Sequence, residues 1–244
     1  MVKLYCININ ESIRVNDLIY LMRFVSQDRI QKAMGFYDLR DLYRSLLGEM
    51  IARYAICTLS GCSNSQIDFD IGTFGKPELK FPKGHFFNIS HSGDWVVCAI
   101  SDNEVGIDIE QIKVTKTKVA KRFFSSEEYK IIMQCKTTED QKKMFYTLWT
   151  LKESYVKADG RGLSILLNSF SIIFNDKDIM LNSINGCQKY NFRTFYTDTH
   201  HLGAVCSLKD IIDEDIKEVS IYEVMEFLEP IKMDVMSLNQ INNY

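Results

Sequence analysis

Leu39, Leu42, Tyr43, Leu46, Leu47, Met50, Ile51 and Tyr54 recur at three- and four-residue steps, the spacing of an amphipathic helix of about five turns. Its polar side carries Arg40, Arg44, Glu49 and Arg53. Two shorter helices are expected ahead of it, over 17–25 and 28–34, with Ser26 as N-cap of the second. After Gly61 the period shortens to two. Segments 67–71, 86–90, 95–101 and 105–110 read as strands, and Gly75-Lys76-Pro77, Pro82-Lys83-Gly84, Ser92-Gly93-Asp94 and Asp102-Asn103 read as turns. The close spacing of the last three strands suggests an antiparallel meander.

Helical spacing then returns. Ser125 and Glu128 have capping-box separation, and a long helix is expected over about 139–158, stopped at Asp159-Gly160-Arg161-Gly162. Strand-like segments follow at 170–174, 192–196 and 202–208. Helices followed by strands thus occur twice. Leu47-Gly48-Glu49-Met50-Ile51-Ala52-Arg53 echoes Leu151-Lys152-Glu153-Ser154-Tyr155-Val156-Lys157, 104 residues on, and the run from Val97 echoes the run from Val205. The expectation is an α+β fold of two pseudo-symmetric halves, each a long helix packed on a small, mainly antiparallel sheet. The halves would span 1–110 and 111–236, with 237–244 a frayed polar tail.

Composition narrows the class. With 46% apolar and 25% charged residues, the 244-residue chain can bury a core and does not resemble a disordered one. A formal charge of −3 gives no global pull toward nucleic acid or membrane, so any anion site must come from local clustering of Lys and Arg. The seven cysteines are scattered, without a C-x-x-C pair, which disfavours a disulfide framework or structural zinc. Leu4, Cys6 and Ile9 alternate with polar residues, so no signal peptide is expected, and no apolar run reaches a membrane span. A cytoplasmic enzyme or binding protein is the default.

Two stretches carry most of the chemistry. In Gly106-Ile107-Asp108-Ile109-Glu110, a strand would put both carboxylates on one face, with Ile107 and Ile109 packing the other. Hard cations such as Mg²⁺ take such oxygens and complete their shell with water and phosphate, although a solvated acidic strand face has the same pattern. In the helix from Trp149, Glu153 and Lys157 stand one turn apart, either a surface i,i+4 pair or part of a cleft beside Trp149. Asn88-Ile89-Ser90-His91-Ser92 offers hydroxyls and an imidazole suited to phosphate; adjacent strand residues face opposite ways and no Gly-x-Ser-x-Gly elbow exists, which argues against a serine hydrolase triad. Arg29, Lys32, Arg44 and Lys76 recur where the chain would approach this cleft.

Read together, Phe87-Asn88-Ile89-Ser90-His91-Ser92, Gly106 to Glu110, Phe123-Phe124-Ser125, and Trp149-Thr150-Leu151-Lys152-Glu153-Ser154 with Lys157 resemble the 4′-phosphopantetheinyl transferases, in particular the double-length, surfactin-synthetase-activating type. Phe36-Tyr37, Arg44 to Gly48 and Gly75-Lys76-Pro77 extend the likeness into the first half. The resemblance implies a monomer with its active site between two pseudo-symmetric halves, which transfers the phosphopantetheine arm of coenzyme A to a serine of an apo acyl or peptidyl carrier protein, releasing 3′,5′-ADP. It implies Mg²⁺ on Asp108, Glu110 and Glu153, and Lys152 and Lys157 facing the phosphates. Ser90, His91, Arg29, Lys32, Arg44 and Lys76 are the expected partners of the pyrophosphate or the 3′-phosphate. Glu153 is the candidate base, and Glu128, Lys157 and His91 are further catalytic candidates. Segment 112–136 is the expected carrier-docking region.

Two other readings stand beside this one. Another metal-dependent phosphoryl or nucleotidyl transferase would also use Asp-x-Glu and lysines, and a non-enzymatic partner module would be expected to have lost one of the three carboxylates or Lys157.

Overall fold

The computed structural model describes residues 1–9, 15–113, 117–175, 178–183 and 189–231. The first part of the chain forms β1 (Val2–Asn8), α1 (Val15–Leu21), α2 (Gln27–Ala33), α3 (Leu39–Ser60), β2 (Asp68–Ile71), β3 (Pro77–Phe81), β4 (Phe86–Ser92), β5 (Trp95–Ser101) and β6 (Val105–Gln111). The remainder forms α4 (Thr117–Phe123), α5 (Ser126–Gln134), α6 (Thr138–Asp159), β7 (Phe170–Phe174), β8 (Ile179–Ser183), β9 (Tyr190–Asp198), β10 (His201–Leu208), β11 (Ile212–Glu218) and α7 (Ile221–Phe227). The expected tail, 237–244, lies outside the described residues.

The two 22-residue helices begin and end for parallel reasons. Asp38 caps α3 through the Arg40 N–H and Thr137 caps α6 through the Asp140 N–H, satisfying donors a first turn leaves orphaned. Gly61 and Gly160 end them at φ 71° and 85°, where a side chain would be strained. Leu46, Leu47, Met50, Ile51 and Ile56 of α3 are fully buried, each worth about 1.5–3 kcal/mol relative to exposure. One expectation for α3 fails: Glu49 and Arg53 are not on a solvated side but are 4% and 2% exposed.

The elements stack in four layers. α3 packs on one face of the sheet β11-β1-β5-β4, through Phe87, Val96, Cys98 and Ile100. The other face of that sheet meets the sheet β6-β10-β9, burying Leu4, Cys6, Val97 and Ala99 against Ile107, Ile109 and Val205. Leu148 and Leu151 of α6 cover the far side, against Leu202 and Ala204. The α+β class, with two long helices on small, mainly antiparallel sheets, is therefore as expected; among the described strands only β11 runs parallel to its partner, β1.

The meander breaks after β5. β4 and β5 form the expected antiparallel hairpin, but β6 crosses into the second sheet and pairs with β10 from Val105↔Ser207 to Gln111↔His201. The reason is edge availability: β1 already occupies the other edge of β5. β11 makes the reciprocal crossing onto β1. A boundary at 110/111 thus does not follow the sheets, since each half lends its last strand to the other. The repeat is carried by element order; Gly61 and Gly160 are 99 residues apart, so the helix echo at 104 is out of step with the helix ends.

Candidate active site

β6 positions the carboxylates by its pleat. Val105, Ile107 and Ile109 enter the core between the sheets, while Gly106, Asp108 and Glu110 face α6. At Gly106 an added Cβ would overlap the Ser154 carbonyl and the Ala158 nitrogen, so α6 rests directly on the strand backbone there. This close approach sets Trp149, Glu153 and Lys157, one face of α6, against Asp108 and Glu110.

β4 lies alongside β6 without a main-chain ladder. Asn88 Oδ1, Ser90 Oγ and Ser92 Oγ accept the N–H groups of Ile107 (2.9 Å), Ile109 (3.4 Å) and Gln111 (3.0 Å), a side-chain zipper that fills the open edge of β6. The Asn-x-Ser-x-Ser spacing is the sequence signal for it. Ser90 also donates to Asp108 Oδ1 (3.1 Å) and Ser92 to Glu110 Oε2 (3.2 Å). Lys157 Nζ closes the cluster, donating to Asp108 Oδ1 (2.7 Å), Ser90 Oγ (2.9 Å) and the Ile107 carbonyl (3.1 Å).

The electrostatics are short of positive charge. Asp108 is 5% exposed, and its Oδ2 is buried with no hydrogen-bond partner. Burial, then the Asp108 charge, pushes Glu110 above the ordinary carboxylate range, and the same two causes in the same order raise Glu153. Three carboxylates share one ammonium. Among the described residues no three acidic, imidazole or thiol groups are gathered as a metal-ligand set, and Lys157 sits on the oxygen of Asp108 that faces Ser90. The donor set nonetheless suits a hard cation: carboxylate oxygens only, one of them orphaned, with Glu110 and Glu153 both raised by burial and by the Asp108 charge.

A second feature adjoins it. A cleft of about 280 Å³ between α2, α3 and β4 is lined by Arg29, Lys32, Arg44, Ser45 and His91, among others. Arg44 donates twice to the Gly93 carbonyl (2.9 and 2.6 Å) and pairs with Asp41, while Arg29 is held by Glu49 (3.1 Å). Crowding by surrounding protein, then the Arg44 and Lys157 charges, holds His91 below the ordinary imidazole range, although its ring still reaches solvent. Ser90 and His91 point to opposite faces of β4, which removes the hydrolase triad.

Three expected site residues lie elsewhere. Lys152 is 0% exposed and its Nζ is committed to Glu128 Oε1 (2.7 Å) and the Phe170 carbonyl (2.6 Å), because it is 100° around α6 from Glu153. Glu128, 1% exposed, also accepts the N–H groups of Ser125 and Ile172, so it closes a capping box and a buried ion pair and does not reach the site. Lys76 Nζ binds the carbonyls of Lys157 (2.6 Å) and Val105 (3.1 Å), tying the β2–β3 hairpin to the end of α6. In segment 112–136, Phe124 and Ile132 are core; Met133 is exposed, and Phe123 packs edge-on to Trp149 at 6.0 Å.

The comparisons with known proteins cover both halves. Residues 104–206 match the 4′-phosphopantetheinyl transferase superfamily, and residues 14–103 match the N-terminal part of 4′-phosphopantetheinyl transferases. The 4′-phosphopantetheinyl transferase Sfp of Bacillus subtilis is 35% identical over 91% of this chain and 100% of that protein. The transferase gsp of Aneurinibacillus migulanus is 42% identical over 68% of this chain and 69% of that protein. A holo-[acyl-carrier-protein] synthase of Thermotoga maritima superposes on 44% of this chain and 64% of that one, with a TM-score of 0.38 and 18% identity, too loose a likeness to argue from. Full-length similarity at this level, across a chain whose zipper, paired carboxylates and helix-borne lysine meet at one place, makes the protein a 4′-phosphopantetheinyl transferase of the double-length, Sfp-like type.

Proposed function

We propose that the protein transfers 4′-phosphopantetheine from coenzyme A to a serine hydroxyl of an apo carrier protein, releasing 3′,5′-ADP, with Mg²⁺ held by Asp108, Glu110 and Glu153. The observation that carries this reading is the buried, unpartnered Oδ2 of Asp108 beside two carboxyls whose pKa values burial has raised. Bound there, Mg²⁺ would offset the charge of the diphosphate and of the leaving 3′,5′-ADP.

The chain's own residues do the rest. Arg29, Lys32 and Arg44 supply the cationic cleft for the anionic nucleotide end of coenzyme A, with His91 on its wall. Lys157, anchored by Ser90 and the Ile107 carbonyl as well as by Asp108, holds an ammonium where charge grows as the bond between phosphorus and the leaving oxygen breaks. Glu153, directly or through a water, is the base, and it takes the serine proton as the new oxygen–phosphorus bond forms. In this reading the protein acts as a monomer. No helix among the described residues is long and apolar enough to cross a membrane, and Cys6, Cys57, Cys62, Cys98, Cys135 and Cys206 are free thiols, in keeping with a reducing, cytoplasmic setting.

The test incubates the protein with apo carrier proteins, coenzyme A and Mg²⁺, with a chelator control, and reads carrier mass. A phosphopantetheine increment lost with chelator is expected; its absence on every carrier defeats the reading. Glu153→Gln is expected to abolish turnover while coenzyme A still binds, and near-normal turnover would refute the role of Glu153 as base.

A further inference from the structure

Beneath the cationic cleft runs a chain of buried charges that the transfer itself does not use. Glu49 on α3 accepts from four donors: the Ser26 N–H (2.7 Å) and Arg53 Nε (2.7 Å) on Oε1, and Ser26 Oγ (3.0 Å) and Arg29 Nε (3.1 Å) on Oε2. Burial pushes its carboxyl up, but Arg53, the Ser26 N–H and Arg29 outweigh that and hold it below the ordinary range. Arg53 Nη1 continues to the backbone and side-chain oxygens of Asn64 (3.1 and 3.2 Å), with its guanidinium 4.9 Å from the Phe69 ring centre. Asn64 Nδ2 in turn reaches the carbonyls of Phe24 and Glu229 (3.2 and 2.8 Å).

Two cations share this single carboxylate, and only one of them reaches the surface. Arg53 is 2% exposed, whereas the Arg29 side chain is 20% exposed and lines the cleft. Arg29 spends Nε on Glu49 and points Nη1 toward Ser45 Oγ (3.4 Å), and no protein acceptor stands at Nη2 among the described residues. A guanidinium clamped at its base presents a fork of fixed orientation, the geometry that binds phosphate oxygens in pairs. A lysine in this place has one nitrogen for both tasks. As a source of stability alone a buried Glu–Arg pair is poor, since apolar residues of equal volume do as well or better.

We infer that Glu49, backed by Arg53 and Asn64, is a positioning residue that fixes the Arg29 guanidinium for a phosphate of the nucleotide substrate. This rests on the proposed use of coenzyme A, and the probe is 3′,5′-ADP. Calorimetric titration of Glu49→Gln is expected to show affinity for 3′,5′-ADP lowered about tenfold, the scale of one lost charge-assisted hydrogen bond. In turnover, KM for coenzyme A rises in step while kcat at saturation holds. Arg29→Lys shows the same loss, and the double variant is no weaker than either single one, because both act through one contact. Glu49→Asp keeps the buried charge but withdraws both its oxygens by one methylene, which takes Oε2 out of reach of Arg29; it serves where Glu49→Gln fails to fold, and the same drop in affinity is expected. Unchanged affinity in a folded Glu49 variant, additive losses in the double variant, or a fall in kcat and melting temperature alone overturns the inference. Wild-type protein that binds neither coenzyme A nor 3′,5′-ADP sinks the functional reading instead.

Discussion

Lys152→Met separates two roles for a lysine that lies next in sequence to the proposed base. The resemblance to the family places Lys152 on the phosphates; the structure buries it at 0% exposure, 2.7 Å from Glu128 Oε1, 2.6 Å from the Phe170 carbonyl and 4.1 Å from the Phe170 ring centre. Burial, outweighing the Glu128 charge, holds its pKa below the ordinary lysine range, yet Glu128 cannot do without it. Methionine matches the length and removes the charge, leaving a carboxylate at 1% exposure with only the Ser125 and Ile172 N–H groups as partners. Breaking a buried pair from one side costs about 3–5 kcal/mol. For a chain of this size each kcal/mol lowers Tm by about 2–4 °C, so a fall of roughly 6–20 °C is expected in calorimetry. Lys152→Met/Glu128→Gln removes the stranded charge and is expected to recover much of that loss. A Lys152→Met protein that melts with the wild type but has lost turnover would return Lys152 to the phosphates.

Two further outcomes follow from the contact between β6 and α6. Gly106→Ala forces a methyl group into the backbone of α6, which has no flexible end to move aside, so a loss at or above the usual range of about 1–3 kcal/mol is expected in denaturant melts, with turnover falling too. Wild-type stability in that variant would show that the helix does not rest on the strand. In metal-free protein the raised pKa of Glu153 means the folded state holds its proton more tightly than the unfolded one, so this group's contribution falls as pH climbs from the ordinary glutamate value of 4.5 through the raised one. Glu153→Gln is therefore expected to raise Tm at about pH 8 and to leave it unchanged at about pH 4, and a difference independent of pH would contradict it.

What the sequence made legible was whatever depends on near neighbours. The three- and four-residue steps from Leu39 reach α3, Ser26 and Ser125 cap α2 and α5, and Gly160 ends the second long helix where expected. The alternation at Asp108 and Glu110 put both carboxylates on one face, correctly. Lys152 and Glu153 show where such reading fails: adjacent letters lie 100° apart on a helix, and only the packing of α5 and β7 decides which one is buried. Glu49 and Arg53 looked solvated for the same reason, since α2 and the segment around Asn64 cover them from a distance in sequence. The meander failed on a matter of occupancy, because nothing near residues 95–110 reveals that the first strand of the chain has taken the edge of β5.

The reciprocal loan of β6 and β11 has a mechanical meaning. A cleft between two halves joined by a single linker can open like a jaw, but here each jaw is stitched into the other by a full strand ladder. Rotation wide enough to admit a ligand would have to shear those ladders, together with the zipper from Asn88 to Ser92. The two halves form one solid body, and the setting of Asp108, Glu110 and Lys157 where they meet is held by strand pairing instead of by a linker.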